Sequence, residues 1–399
     1  MEFNLYQLCE KNYNKGGIKV ILSKELSDKI SLSLIKLKEK KIKLKDLANN
    51  LKIDYTTLWK NLKNPKAIPL IIIRELENIT NINFQEHIIY LYSSHSKSKI
   101  KIPKTLDKSI SKLTGCIIAD GHLKTRKSGR GKHYEVVIRD EYKTNIIAAI
   151  KWFKNIFEIN LKGNKEENHY SIYVSNKIIN NYFTKVLGLP EGKKTGIVST
   201  PNCILDSNIA IKQAYLQGLF MFDGGVDYRN GYVNYISKSK KLVEEILILL
   251  KEISLEQDYY SLQPDRYERY KIRFRKKEKL KKCLILFQKN TEKWWRLYEH
   301  LYGLKGTTKD LKILIKSIDT YYPRVRYSAI TFSDVIKAIE SLREKANILN
   351  LSQKLNRNKT VVYEFLKKLE RWEIVTSYRV GLKKYYKFNK TLKIPRRTY

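Results

Sequence analysis

The 399 residues include 79 Lys and Arg against 40 Asp and Glu, a formal charge of +39, with 42% hydrophobic and 11% aromatic residues. Such a length divides into two to four ordinary domains, and the apolar share excludes wholesale disorder. No run approaches the roughly 18–20 apolar residues of a membrane span, and the start MEFNLYQLCEKNYNKGG has no secretory pattern, so an intracellular protein is expected. The four cysteines (Cys9, Cys116, Cys203, Cys283) and six histidines are scattered, which leaves no zinc set and no disulfide framework. An excess of positive charge this large calls for a polyanionic partner, and nucleic acid is the obvious one.

In chain order, residues 1 to about 100 read as helical, with amphipathic Lys/Leu/Ile runs. Within them IKLKDLANNLKIDYTTLWKNLK (42–63) has the pattern of a helix-turn-helix. Leu44, Leu47 and Ala48 form one apolar face, Leu51 and Ile53 frame the turn, and Asp54 is placed to cap the second helix. Leu58 and Leu62 then point inward, and Tyr55, Thr56, Thr57, Lys60 and Asn61 are left to address bases and phosphates. The polar, basic stretch 93–109 with Pro103 reads as a linker.

The middle of the chain, about 101–320, repeats itself, in halves of about 106–205 and 206–320. LTGCIIADG (113–121) aligns with LQGLFMFDG (216–224), pairing Gly115 with Gly218, Asp120 with Asp223 and Gly121 with Gly224. Farther on, HYSIYVSNKIINNYF (169–183) aligns with RYKIRFRKKEKLKKC (269–283), and YEVVIRDEYKTNII (134–147) with YVNYISKSKKLVEEI (232–246). Each copy reads helix, strand, strand, helix, strand, helix. Arg269, Lys271, Arg273 and Arg275 alternate with Tyr270, Ile272 and Phe274, so one strand face is wholly cationic. Trp294 and Trp295 are read as helix core rather than base-stacking groups.

In LTGCIIADG, Gly115 and Ala119 share a helical face, where small side chains permit close approach of a second helix. Gly121 is expected to stop the helix in left-handed conformation, leaving Asp120 at the negative end of the helix dipole. A carboxylate there does not serve stability. If the two helices pack together, Asp120 and Asp223 meet, and an all-oxygen site of two carboxylates, carbonyls and water suits Mg²⁺.

These nonamers resemble the LAGLIDADG signature of homing endonucleases, at six and five of nine positions. The two-motif, single-chain form of that family implies a duplicated αββαββα pseudo-dimer of the α+β class, with two saddle-shaped antiparallel sheets over double-stranded DNA. The resemblance further implies metal binding by Asp120 and Asp223, with help from the carbonyls of Ala119 and Phe222. Ile118 and Met221 replace the signature's first Asp, and Phe222 replaces a small residue. The family's pocket lysine falls by register on Lys238, where the first copy has Arg139-Asp140-Glu141. Lys124, Arg126 and Arg139 join the strand 269–275 as expected DNA contacts. The reading is a monomeric, nucleoid-associated, Mg²⁺-dependent double-strand endonuclease. The alternative on the same scaffold is a non-catalytic regulator, or a splicing maturase acting on an RNA intron.

After Tyr321-Tyr322-Pro323 a final unit, 321–399, is similar to a winged helix. It has a short helix, a turn at Asn356, a helix from Lys359 to Glu370 and a hairpin wing, with Val361, Phe365, Leu366 and Leu369 as its core stripe. Arg357, Asn358, Lys359, Thr360 and Tyr363 are placed to enter a groove, with Arg379, Lys383 and Lys384 on the wing. GLPEGKKTG (188–196) lacks the spacing of a phosphate loop, which argues against an ATPase, and the terminal Arg-Thr-Tyr lacks the His-Asn of an intact intein.

Overall fold

The structure, a computed structural model, describes residues 2–9, 17–63, 66–93, 96–129, 131–167, 169–227, 231–261, 263–289, 291–302 and 330–389. The Tyr321-Tyr322-Pro323 boundary lies outside the described residues. The class is α+β, with antiparallel sheets as expected.

The N-terminal part is not all helical. Helices α1 (Lys24–Glu39), α2 (Leu44–Asn50), α3 (Tyr55–Lys63) and α4 (Leu70–Thr80) pack with a four-stranded sheet. Its strands, β1 (Ile18–Ile21), β2 (Ala67–Pro69), β3 (Tyr90–Ser93) and β4 (Ser96–Lys101), run in the order β2-β1-β3-β4. Strand β4 replaces part of the expected linker. Three- and four-residue strands such as Ala67-Ile68-Pro69 carry too little alternation to be read locally; pairing across the sheet makes them. Asp54 does cap α3, its carboxylate accepting the Thr57 N–H at 3.2 Å, and Leu58 and Leu62 are buried.

Each repeat then runs αββαββα. The first has α5 (Lys108–Ala119), β5 (Gly121–Ser128), β6 (Gly131–Asp140), α6 (Lys143–Phe157), β7 (Asn164–Lys165), β8 (Tyr170–Ser175) and α7 (Lys177–Asn181). After α8 (Asn202–Leu205) the second has α9 (Ile209–Asp223), β9 (Gly225–Asp227), β10 (Tyr232–Ser237), α10 (Lys240–Glu252), β11 (Tyr259–Tyr260), β12 (Tyr270–Phe274) and α11 (Lys277–Cys283). The two-residue strands β7 and β11 are the ones the residue pattern alone did not reveal. Both sheets have the same order, β5-β6-β8-β7 and β11-β12-β10-β9.

The motif helices α5 and α9 cross at the centre, and their glycines make the crossing possible. A Cβ on Gly115 would lie 2.3 Å from the Tyr215 carbonyl oxygen, and one on Gly218 2.0 Å from that of Lys112. Helix α9 is buried on nearly every side, as a central helix must be. One continuous apolar core runs from Phe3 to Leu301 and joins the N-terminal part to both repeats.

Residues 330–389 have their own core. Helix Phe332–Leu342, not foreseen, precedes helices Ile348–Lys354 and Lys359–Arg371 and the hairpin of β13 (Val375–Val380) with β14 (Lys383–Phe388). The turn expected at Asn356 is present, and its backbone is left-handed, with φ 50°. Val362, rather than Val361, is the buried residue, so the stripe is Val362, Leu366 and Leu369 with Phe365 half-buried at its edge.

Candidate active site

Asp107 and Asn208 cap α5 and α9, accepting the N–H groups of Ile110 and Ile211. The C-terminal ends of the two helices meet, which brings Asp120 and Asp223 within a shared side-chain hydrogen bond. A hydrogen bond between two carboxyls requires a proton on one of them. Both residues stay solvent-exposed on one side. Dense protein on the other side and, at Asp223, the charge of Asp120 hold both carboxyls above the ordinary range.

Gly121 and Gly224 are not the left-handed stops the sequence suggests. Gly224 is extended, with φ −65° and ψ 139°, and Gly121 opens strand β5. What requires glycine is space: an added Cβ would lie 2.4 Å from Ile117 Cα in one case and from the Phe220 carbonyl oxygen in the other.

Lys238 is not in the site. Its ammonium is exposed and 3.3 Å from Glu268. Two other lysines reach the C-terminal ends of the motif helices. Lys194 donates to the carbonyl oxygens of Ile117 (2.8 Å), Ile118 and Ala119, capping the end of α5. Lys293, only 7% exposed, donates to the carbonyl of Phe222 at the end of α9. Burial lowers the Lys194 ammonium below its ordinary range, and Asp223 and Asp120 oppose that. The two lysines cap equivalent carbonyls and are 99 positions apart, close to the 103 between the aspartates. Only that spacing could have singled them out in advance.

The loop after α7 delivers Lys194. Gly192 and Gly196 flank it with φ of 79° and 81°, a conformation that side chains with a Cβ rarely adopt. The Gly192 N–H donates to Leu123 O at 2.8 Å, and the Thr200 N–H to the buried Glu245 carboxylate at 2.6 Å. Lys293 comes from the first turn of α12 (Glu292–Tyr302). On the same helix Trp294 stacks on Tyr298 at 4.8 Å; both tryptophans are half-buried, in keeping with a packing role.

Two further acids lie beneath the site. Asp140 is 6% exposed, accepts the Tyr142 N–H at 2.6 Å and the Asn145 amide at 3.0 Å, and is pushed up to about 7 by burial against the pull of Lys293. Glu292, fully buried, accepts the Thr144 hydroxyl and is also raised by burial to about 7. Between pH 4 and 7 the folded state thus holds protons that the unfolded chain has lost. Their contribution to stability is complete below about pH 4 and disappears as pH rises through 7, at up to about 1.4 kcal/mol per pH unit for each group. Glu292→Gln is expected to flatten this slope, checked by urea denaturation at pH 5 and pH 8 with a chelator present.

The cationic strand face is present, but it is not simply charge. Arg269 and Lys271 both bond Asp265, at 2.9 and 2.7 Å. Arg273 lies over the rings of Tyr232 (4.5 Å) and Tyr259 (5.8 Å), and Arg275 over Tyr232 (5.7 Å). On the first sheet Arg139 donates to the Tyr173 hydroxyl at 2.8 Å, Arg126 is 3.7 Å from Glu135, and Lys124 is half-buried. Tyr55, Thr56 and Lys60 are exposed on α3; Lys359 and Thr360 are exposed in the C-terminal unit, beside a half-buried Arg357.

Among the described residues no three His, Cys, Asp or Glu converge as a metal cluster, and no helix is long and apolar enough to cross a membrane. Two adjoining, exposed carboxyl groups are still a fit for Mg²⁺, which binds through one or two carboxylates and fills its remaining positions with water and phosphate.

Residues 210–284 match the family model described as LAGLIDADG-like domain. Among curated proteins the chain is similar to glutamine–fructose-6-phosphate aminotransferase of Methanocaldococcus jannaschii, 28% identical over 191 residues, covering 47% of this chain and 16% of that protein. It is also similar to an A-type ATP synthase subunit from Pyrococcus abyssi, 27% identical over 157 residues, covering 39% of this chain and 15% of that one. The chain therefore spans only a small part of the curated relatives it matches. Among solved structures it is similar to I-DmoI in complex with DNA and Mn (20% identity, TM-score 0.36, 46% of this chain and 97% of that one). Full-length DUF199/WhiA from Thermatoga maritima is another such structure (15% identity, TM-score 0.30, 68% and 94%). With two glycine-crossed motif helices and a family match across the second of them, the chain carries a LAGLIDADG-like domain.

Proposed function

We propose that the chain is a site-specific, double-stranded DNA endonuclease of homing type that works with Mg²⁺. The observation that carries this reading is the meeting of Asp120 and Asp223 at the ends of the paired helices, where two like charges serve no structural purpose. A divalent ion held by them would polarise the scissile phosphate and activate a water. Lys194 and Lys293 place positive charge where the phosphate gains negative charge, and they hold the helix ends that aim the carboxylates. Lys124, Arg126, Arg139, Arg269, Lys271, Arg273 and Arg275 would line the DNA, with Tyr55, Thr56 and Lys60 of α3 and Arg357, Lys359 and Thr360 of the C-terminal unit as outlying contacts. One chain with two unlike halves reads an asymmetric site as a monomer. The aminotransferase and ATP synthase activities of the curated relatives are not carried over, because the shared segment is only 16% and 15% of those proteins.

A second reading, a non-catalytic regulator or an RNA maturase, is favoured by one feature. The carbonyls of Ala119 and Phe222, expected to assist a metal, accept lysine ammonium groups instead. Incubating a randomised plasmid library with Mg²⁺ or with chelator decides between them: metal-dependent linear product supports the nuclease, and binding without cutting supports the regulator. In the same assay Lys194→Met is expected to lose about a hundredfold or more in rate, the usual cost of a transition-state charge. Lys238→Ala should stay within about twofold of the wild type, as a surface change does.

A further inference from the structure

The hairpin of the C-terminal unit is apolar at its apex and cationic along its sides. Val380 pairs with Lys383, so the connection is the two-residue turn Gly381-Leu382. A hairpin turn this short requires a positive φ at its first residue, and Gly381 supplies it at 57°. The turn makes no demand on the side chain that follows, yet that residue is a leucine. Leu382 is 106% exposed, the most of any large apolar side chain among the described residues, and Val380 beside it is 62% exposed. Between Val375 and Phe388 the ribbon has four cations, Arg379, Lys383, Lys384 and Lys387, and no acid. Pairing places Arg379 and Lys384 on one face and Lys383 and Lys387 on the other.

The root of the ribbon is fixed. Val375 and Tyr386 are buried in the unit's core, and the Tyr386 N–H donates to the Ala346 carbonyl at 2.8 Å. Farther out Tyr378 stacks on Tyr385, with ring centroids 5.7 Å apart, and the Lys384 ammonium is 2.8 Å from Glu370. Residues 376–383 are all exposed. At about 3.3 Å per residue the braced ribbon carries its apex about 17 Å beyond Val375.

A partner for this tip meets cations on both faces of a narrow ribbon and a small apolar point at its end. The minor groove of duplex DNA has that form, with phosphates on both walls and stacked bases at the floor. An anionic lipid surface would meet the charge from one side and favours a wider apolar area than two side chains. The same unit exposes Lys359, Thr360 and Tyr363, donors that bases and phosphates use and acyl chains do not.

We propose that the hairpin tip is a wedge for duplex DNA: Leu382, backed by Val380, enters the minor groove and parts one base step, while Arg379 and Lys383 contact the phosphates on either side. This rests on the DNA-binding part of the reading above and is independent of cleavage.

The experiment uses the full chain in chelator and a duplex recovered from the randomised library by retention on the protein. 2-Aminopurine is placed at successive positions along the duplex, and a donor and acceptor at its ends report bending. Fluorescence should rise at one base step, and Leu382→Ala should lose that rise and reduce the bend by about 20° or more. Its affinity should stay within about tenfold of the wild type and its urea midpoint should not move, because Leu382 supports nothing in the fold. Leu382→Met should keep the rise, as should Leu349→Ala, an exposed apolar control in the same unit. Arg379→Ala should reduce the slope of log affinity against log salt by about 0.9, whereas Leu382→Ala leaves it unchanged. A duplex bound with no such step, or a rise that survives Leu382→Ala, overturns the wedge and leaves DNA binding standing. Leu382-dependent retention on phosphatidylglycerol vesicles, with the DNA signal indifferent to Leu382, assigns the tip to lipid and also overturns it. Retention of no duplex at all overturns both readings.

Discussion

Replacing Gly218 with alanine is expected to force the motif helices apart and to cost about 3 kcal/mol or more. The new Cβ would sit 2.0 Å from the Lys112 carbonyl oxygen and 2.7 Å from its carbon, and backbone in a helix cannot turn aside as a side chain can. Overpacking in an ordinary core costs about 1–3 kcal/mol, and this contact belongs at or above the upper end. Gly115→Ala meets the Tyr215 carbonyl in the same way. Both should lower the urea midpoint strongly, and cleavage should fall with it because the helices that aim the carboxylates no longer meet. Gly129→Ala, with nothing within 4 Å of its new Cβ, is the control and should shift stability by less than about 0.5 kcal/mol. If Gly218→Ala behaves like Gly129→Ala, the central crossing is wrong.

The second large effect is expected at the carboxylates. Asp120→Asn and Asp223→Asn each keep the side chain's size but remove the charge that would hold a divalent ion. A loss of about a thousandfold in cleavage corresponds to ~4 kcal/mol of transition-state stabilisation, within the range of a metal acting as Lewis acid. Folding should not suffer. Each substitution relieves a like-charge contact and leaves Lys194 and Lys293 on their carbonyls, so the melting temperature at pH 8 in chelator should hold or rise. DNA retention at low salt should persist, since the sheet cations are untouched. Equal cleavage by wild type and both variants would remove these aspartates from the chemistry.

The parts of the fold that could be read in advance were those whose signal is local. The alternation of Ile272 and Phe274 with Lys271 and Arg273 marks β12, and the matched nonamers mark α5 and α9 with their aspartates at the ends. The misses have a common cause. Val361 and Val362 are neighbours, and which of them is buried depends on the rotation of that helix against Phe332–Leu342, an element not anticipated. Gly121 and Gly224 looked like conformational stops, whereas the constraint on them is contact with the preceding helical turn.

By itself, then, the order of residues determined the duplication, the class of each long element, the paired carboxylates and the cationic strand face, because helical and strand periodicity and helix capping act over a few neighbouring positions. Tertiary structure decided which lysines reach the helix ends, and that Asp140 and Glu292 sit beneath them. It also decided that three- and four-residue strands near the N-terminus become a sheet. Lys194 lies in a loop and Lys238 follows a strand, and nothing in their local surroundings ranks one above the other. Their destinations depend on chain segments some 75 residues away meeting in space, as the hydrogen bonds from Lys194 to Ile117 and Ala119 do.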